Sequence, residues 1–133
     1  MLIGMSAAIV QGVMETTLDA DFWIDLPPRE YMRVQNIART AGCTVGANTV
    51  VYTQDGTPLN FVFGEVSGLG SFKMESRRTE KMAFRGKKIP VLKLERILKS
   101  KESLRRNKDL PHIIQIRELL RCRRSLKTKK AKP

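Results

Sequence analysis

The chain has 133 residues, 41% hydrophobic and 29% charged, with 25 basic against 13 acidic side chains and a formal charge of +12. This reads as a soluble globular chain of one domain, long enough for a core without disulfide staples. A single histidine excludes a His-rich metal site, Cys43 and Cys122 match no CxxC spacing, and no run is long enough to span a bilayer.

The chain opens with "MLIG", which predicts a short buried strand, and "SAAIVQGVM" then predicts a short helix with Ser6 at its N-cap. No Lys or Arg precedes this apolar opening, so it reads as a folded segment rather than a signal peptide. In "DADFWIDL", period-two alternation puts Asp19, Asp21, Trp23 and Asp25 on one strand face and Ala20, Phe22, Ile24 and Leu26 on the other. "PPREYMRVQNIARTAG" predicts a helix with Pro28 in its first turn, a stripe of Tyr31, Val34 and Ile37 or Ala38, and Gly42 as its stop. "TVVYTQDGTPLNFVF" reads as a hairpin turning at Asp55-Gly56. A loop and short helix follow in "GLGSFKMESRRTE", then two strands around Arg85-Gly86.

Two helices close the chain. The first carries Leu94, Ile97, Leu98 and Leu104; the second has Asp109 at its N-cap and Ile113, Ile116 and Leu120 on one face. The expected architecture is α/β (α+β), a mixed sheet flanked by helices in a single domain over residues 1–120. Residues 121–133, "RCRRSLKTKKAKP", form a flexible basic tail. That tail holds seven of the surplus positive charges and leaves +5 on residues 1–120, so the overall charge says little about the folded part. It is either an electrostatic contact for nucleic acid or another polyanion, or a solvated terminus. Two thiols without a disulfide pattern point to a reducing cytoplasm.

Strands disfavour Asp, so "TTLDADFWID" needs a reason. Asp19 and Asp21 lie two apart on a strand and share a face, roughly 6.5–7 Å apart along the chain. Side chains leaning together there hold a hard cation such as Mg²⁺, which binds one or two carboxylates plus substrate phosphates. Alternatively, the face is simply solvated, as on any half-exposed strand. Lys101 follows Leu94, Ile97 and Leu98 at helical spacing and so lies along the inward stripe. It meets an anion there, or packs its stem at the rim. His112 has no cluster around it and reads as structural.

The stretch "LIGMSAAIVQGVMETTLDADFWID" resembles the opening of the nucleotidyltransferase superfamily, whose best-known member is DNA polymerase beta. It is similar in particular to small bacterial members, the minimal nucleotidyltransferases and abortive-infection-type toxins. The likeness rests on Gly4 at a turn, Thr17-Leu18-Asp19-Ala20-Asp21 on the next strand, "DGTPLNFVF", and the final helices with Lys101, Arg106, Lys108 and Asp109. It implies the nucleotidyltransferase fold and transfer of a nucleotidyl group from an NTP to a hydroxyl acceptor on RNA, protein or a small molecule. The biological setting implied is a toxin–antitoxin system. Asp19 and Asp21 would hold Mg²⁺ or Mn²⁺, with Gly4, Ser6, Thr17, Lys101 and Arg106 toward the nucleotide. Glycine and a helix N-terminus suit a phosphate, although Gly4 equally suits a plain tight turn.

Three positions depart from that family. Asn60 stands where a third carboxylate is common, Met5 where a second Gly or Ser is usual, and Glu15 near a usual basic residue. An amide cannot act as a carboxylate base, so the alternative is a catalytically degenerate module of the same fold that binds nucleotide or nucleic acid. Glu65 has the opposite strand parity from Asn60, so its use as a substitute acid requires a bulge.

Overall fold

In the computed structural model, which describes residues 1–46 and 50–131, chain order begins with β1 (Leu2–Ile3) running directly into α1 (Gly4–Val10). β2 (Ala20–Ile24) follows, then a 3₁₀ turn at Pro28–Glu30 that feeds α2 (Tyr31–Thr40). Next come β3 (Thr44–Val45), β4 (Val51–Tyr52), β5 (Pro58–Phe63) and α3 (Phe72–Glu75). β6 (Thr79–Phe84), β7 (Lys87–Leu92), α4 (Leu94–Leu104) and α5 (Leu110–Ala131) complete the chain. The sheet is mixed and seven-stranded, in the order β3-β4-β5-β2-β1-β7-β6. β2 lies antiparallel to β1 and parallel to β5, a register that sets Asp21 opposite Asn60. The α+β class expected from the pattern is the one observed. Thr49, the first residue of the expected hairpin, and Lys132 of the tail lie outside the described residues.

The core forms where β1, β2 and β7 meet α1, α4 and α5. Leu2, Ile3, Ala7, Ala8, Trp23, Val91, Leu92, Leu94, Ile97, Ile116 and Leu120 are buried in one cluster. β2 begins at Ala20, so Asp19 precedes the strand on which it was expected, and Trp23 is the buried residue of β2. Its ring packs edge-on against Phe72 at 5.4 Å, and its Nε1 donates to the Gly64 carbonyl at 2.8 Å. Burying that N–H without a partner would cost stability, so the bond fixes where the loop after β5 begins.

Several boundaries differ from expectation. Ser6 does not cap α1, because the helix starts at Gly4 with Ile3 at the N-cap position. The strand turns into helix in one residue because Gly4 adopts φ +66. On α2 the buried residues are Gln35 and Ala38, while Tyr31 and Ile37 are exposed. That helix packs against the two-residue β3 at the sheet edge, which covers a narrower stripe than the apolar pattern offered. Leu104, expected on the inner face of α4, is also exposed. Finally, α5 crosses the expected boundary at residue 120 and runs to Ala131, so residues 121–131 extend a core helix. The Arg123 guanidinium donates to the Gln11 carbonyl, tying the start of this extension to the end of α1.

Candidate functional site

The start of β2, the middle of β5, the β1–α1 junction and the α4–α5 junction enclose a cleft of about 550 Å³. On one wall stand Asp19, Asp21 and Asn60. Asn60 Nδ2 donates to Asp19 Oδ2 at 2.5 Å and to Asp21 Oδ1 at 3.2 Å, so a single carboxamide bridges the two acids. Thr17 Oγ1 donates to Asp19 Oδ1 at 3.2 Å. Among the described residues neither Asp19 nor Asp21 has a cation at salt-bridge distance. Burial pushes the Asp21 carboxyl above its ordinary range. The Asn60 hydrogen bond and the more distant Lys101 and Lys108 charges pull it down, while Asp19 pushes it further up.

Gly4 belongs to this wall for a steric reason. A Cβ at Gly4 would sit 2.6 Å from Asp21 Oδ2, well inside contact distance. Ser6 serves the same wall from behind. It is buried, its Oγ donates to the Ile3 carbonyl at 2.9 Å, and it accepts from the Asp21 N–H at 3.2 Å. Of the residues expected to face the nucleotide, Gly4, Thr17, Lys101 and Arg106 line the cleft, and Ser6 does not. Met5, which interrupts the expected glycine turn, also lines the cleft but is largely buried in the core. Glu15 lies outside it, accepting from Gln115 Nε2 at 3.2 Å.

The opposite wall is cationic. Lys101 is 8% exposed, which is unusual for lysine, and its Nζ lies 3.3 Å from Asp109 Oδ1 and 3.2 Å from His112 Nδ1. Asp109 also accepts from the Arg106 backbone N–H at 3.1 Å and from Arg106 Nε at 2.7 Å. With the Arg106 guanidinium as its strongest partner and Lys101 beside it, the Asp109 carboxyl is held down at about 2. Burial pulls the Lys101 ammonium below its ordinary value, and Asp109 works against that. The His112 imidazole is lowered by burial and then by the Lys101 charge. Asp109 stands immediately before α5, at the N-cap position expected, and its carboxylate also clamps two cations. Nothing in the sequence pairs residue 101 with residue 109, since the contact arises only when the α4–α5 junction turns.

Among the described residues, no three His, Cys, Asp or Glu side chains gather into a metal-holding group. The donor set is smaller: two carboxylates and one carboxamide. That set fits Mg²⁺ or Mn²⁺ on chemical grounds, since hard oxygen ligands from one or two carboxylates suffice when a phosphate completes the shell. Two half-buried acids sharing only a neutral amide are also short of positive charge, which a divalent ion would supply. The chain matches no family model, no curated protein and no solved structure. No helix among the described residues is long and apolar enough to cross a membrane.

Proposed function

We propose that this cleft binds a divalent cation with a nucleoside triphosphate and transfers the nucleotidyl group to a hydroxyl acceptor. The observation that carries this reading is the pairing of cation-poor Asp19 and Asp21 across one cleft from Lys101, Arg106 and Lys108. Acids on one wall and bases on the other suit a metal-bound phosphate chain, which presents a cation to the first and anions to the second. Asp19 and Asp21 would hold the ion, with Asn60 fixing their separation. When bound, the ion neutralises charge on the transferring phosphoryl group. Lys101, oriented by Asp109, and Arg106 would bind the phosphate oxygens. Gly4 leaves room for that chain beside Asp21. The nucleotidyltransferase resemblance of the opening strands supports the same reading.

The test is incubation with Mg²⁺ and each α-labelled NTP, with cell extract supplying acceptors. Wild type transfers label, and Asp19→Ala does not. Transfer that survives Asp19→Ala removes the site. A second reading, nucleotide binding without transfer, is favoured by Asn60, where an amide replaces the usual third carboxylate. Under that reading only Asn60→Asp transfers label. The basic end of α5 adds a proposed contact for a polyanion such as RNA: Arg124, Lys127 and Lys129 are exposed there. Removing residues 121–133 should weaken RNA binding and flatten its salt dependence; an unchanged salt slope rules the contact out.

A further inference from the structure

Transfer to a hydroxyl needs a group that takes the hydroxyl proton, and Asn60 cannot. Four carboxylates line the cleft: Asp19, Asp21, Asp109 and Glu65. Asp109 is consumed by Lys101 and Arg106, and a carboxyl held at about 2 is a poor proton acceptor. Asp19 and Asp21 share the Asn60 amide and are the ion's ligands in the reading above. Glu65 alone is exposed, with no hydrogen-bond or ion-pair partner among the described residues.

Its placement is built rather than incidental. β5 ends at Phe63, and Gly64 at φ +78 breaks the strand alternation, which removes the parity objection without a bulge. The loop carrying Glu65 is pinned on both sides. Trp23 Nε1 holds the Gly64 carbonyl before it. After it, Ser67 Oγ and Ser103 Oγ lie 3.0 Å apart, and Gly70 N–H donates to the buried Glu75 at 2.8 Å. Gly68, at φ +76, lets this loop lie on α4, where a Cβ would meet the Ser103 Cβ at 2.6 Å. A rigid loop that leaves one carboxylate free suits a proton acceptor.

Glu65 also stands in the wall shared with a second cleft of about 550 Å³, bounded by Asp25, Leu26, Pro27 and Phe72. Among the described residues, no Lys or Arg lines that second cleft, in contrast to the cationic wall of the first.

We infer that Glu65 is the proton acceptor of the transfer reaction, and that the hydroxyl reaches it from the cation-free cleft, on an uncharged or cationic acceptor. This rests on the nucleotidyltransferase reading above. The acceptor O–H gives its proton to the Glu65 carboxylate, and its oxygen forms a bond to the α-phosphorus. The bond from that phosphorus to the β-phosphate oxygen breaks, and pyrophosphate leaves with the electron pair. Positioned general bases contribute about 10²–10⁴-fold to rate.

The experiment has two arms on the full chain. Binding is measured with Mg²⁺ and non-hydrolysable α,β-methylene analogues of the four NTPs, and transfer with α-labelled NTPs and cell extract. Glu65→Gln should bind each analogue within twofold of wild type yet lose about 100-fold or more in transfer, and Glu65→Asp should recover part of it. The labelled product should resist ribonuclease. Wild-type transfer by Glu65→Gln, or a ribonuclease-sensitive product, overturns the inference. So does a wild type that binds the analogues but transfers nothing until Asn60→Asp is made. A wild type that binds no analogue instead refutes the metal-nucleotide reading itself, which separates the two failures.

Discussion

Glu75 and Asp21 are both carboxylates drawn into the protein, and their surroundings treat them in opposite ways. Glu75 is 1% exposed, accepts from Arg96 Nε at 2.8 Å and Nη2 at 2.7 Å, and takes the Gly70 N–H as well. Its carboxyl is held below the usual range, first by the Arg96 hydrogen bonds. Asp21 has an amide, a neighbouring acid and no ion pair, and burial pushes its carboxyl up. A buried acid with a matched guanidinium secures a loop. A half-buried acid beside another acid, open to a cleft, lacks such a partner, and the proposed cation would supply it.

The contrast predicts opposite responses to similar changes. Glu75→Ala leaves Arg96 without its partner and frees the loop at Gly70. It should cost about 3 kcal/mol, at the low end for a broken buried pair because Arg96 keeps some access to water. In a thermal melt this should lower Tm on the order of 10 °C; a loss under a quarter of that would mean Glu75 is not the staple described. Mg²⁺ or Mn²⁺ at about 100 times Kd should stabilise the wild type by about 2.7 kcal/mol and leave Asp21→Asn unmoved. Equal stabilisation of both would place the ion elsewhere. Without added ion, Asp21→Asn should itself be stabilising, by about 0.5–2 kcal/mol, because it removes the repulsion from Asp19. A destabilised Asp21→Asn would show that the acid pair is structural after all.

The smallest effect near neutrality is a pH limb. The Asp109 carboxyl is depressed from 3.8 to about 2, so its contribution is complete above the unfolded value and is lost as pH falls from about 4 toward 2. Glu75, also depressed, adds a loss of the same sign. Urea titrations across that range should show stability falling, with a shallower fall in Asp109→Asn. An identical slope in the variant would mean that Arg106 and Lys101 do not hold this group.

Periodicity carried much of the fold. The strand carrying Asp21, the hairpin into β5, and the inward line of Leu94, Ile97 and Lys101 are all present, and Asn60 falls opposite Asp21, although Asp19 stands just before the strand. Each of these is a local pattern or follows from strand register. Partners were not legible in the same way. The Glu75–Arg96 pair spans 21 positions, and the Lys101–Asp109 contact depends on how two helices turn. Ser6 lies inside α1 rather than at its cap because a single left-handed glycine, Gly4, starts the helix directly after the strand. On α2, Ala38 is buried and Val34 half-buried as the stripe predicts, but Tyr31 and Ile37 are exposed because a two-residue edge strand covers only part of it. The basic run after residue 120 continues α5, and charge does not report helicity.

The most direct measurement of the central claim is Mn²⁺ binding by electron paramagnetic resonance, with and without each NTP analogue, on the wild type and on Asp21→Asn. One Mn²⁺ per wild-type chain, tightened by nucleotide and lost in Asp21→Asn, is the expected result. Binding that is absent from the wild type under every nucleotide, or that persists unchanged in Asp21→Asn, contradicts a metal-nucleotide site at Asp19 and Asp21.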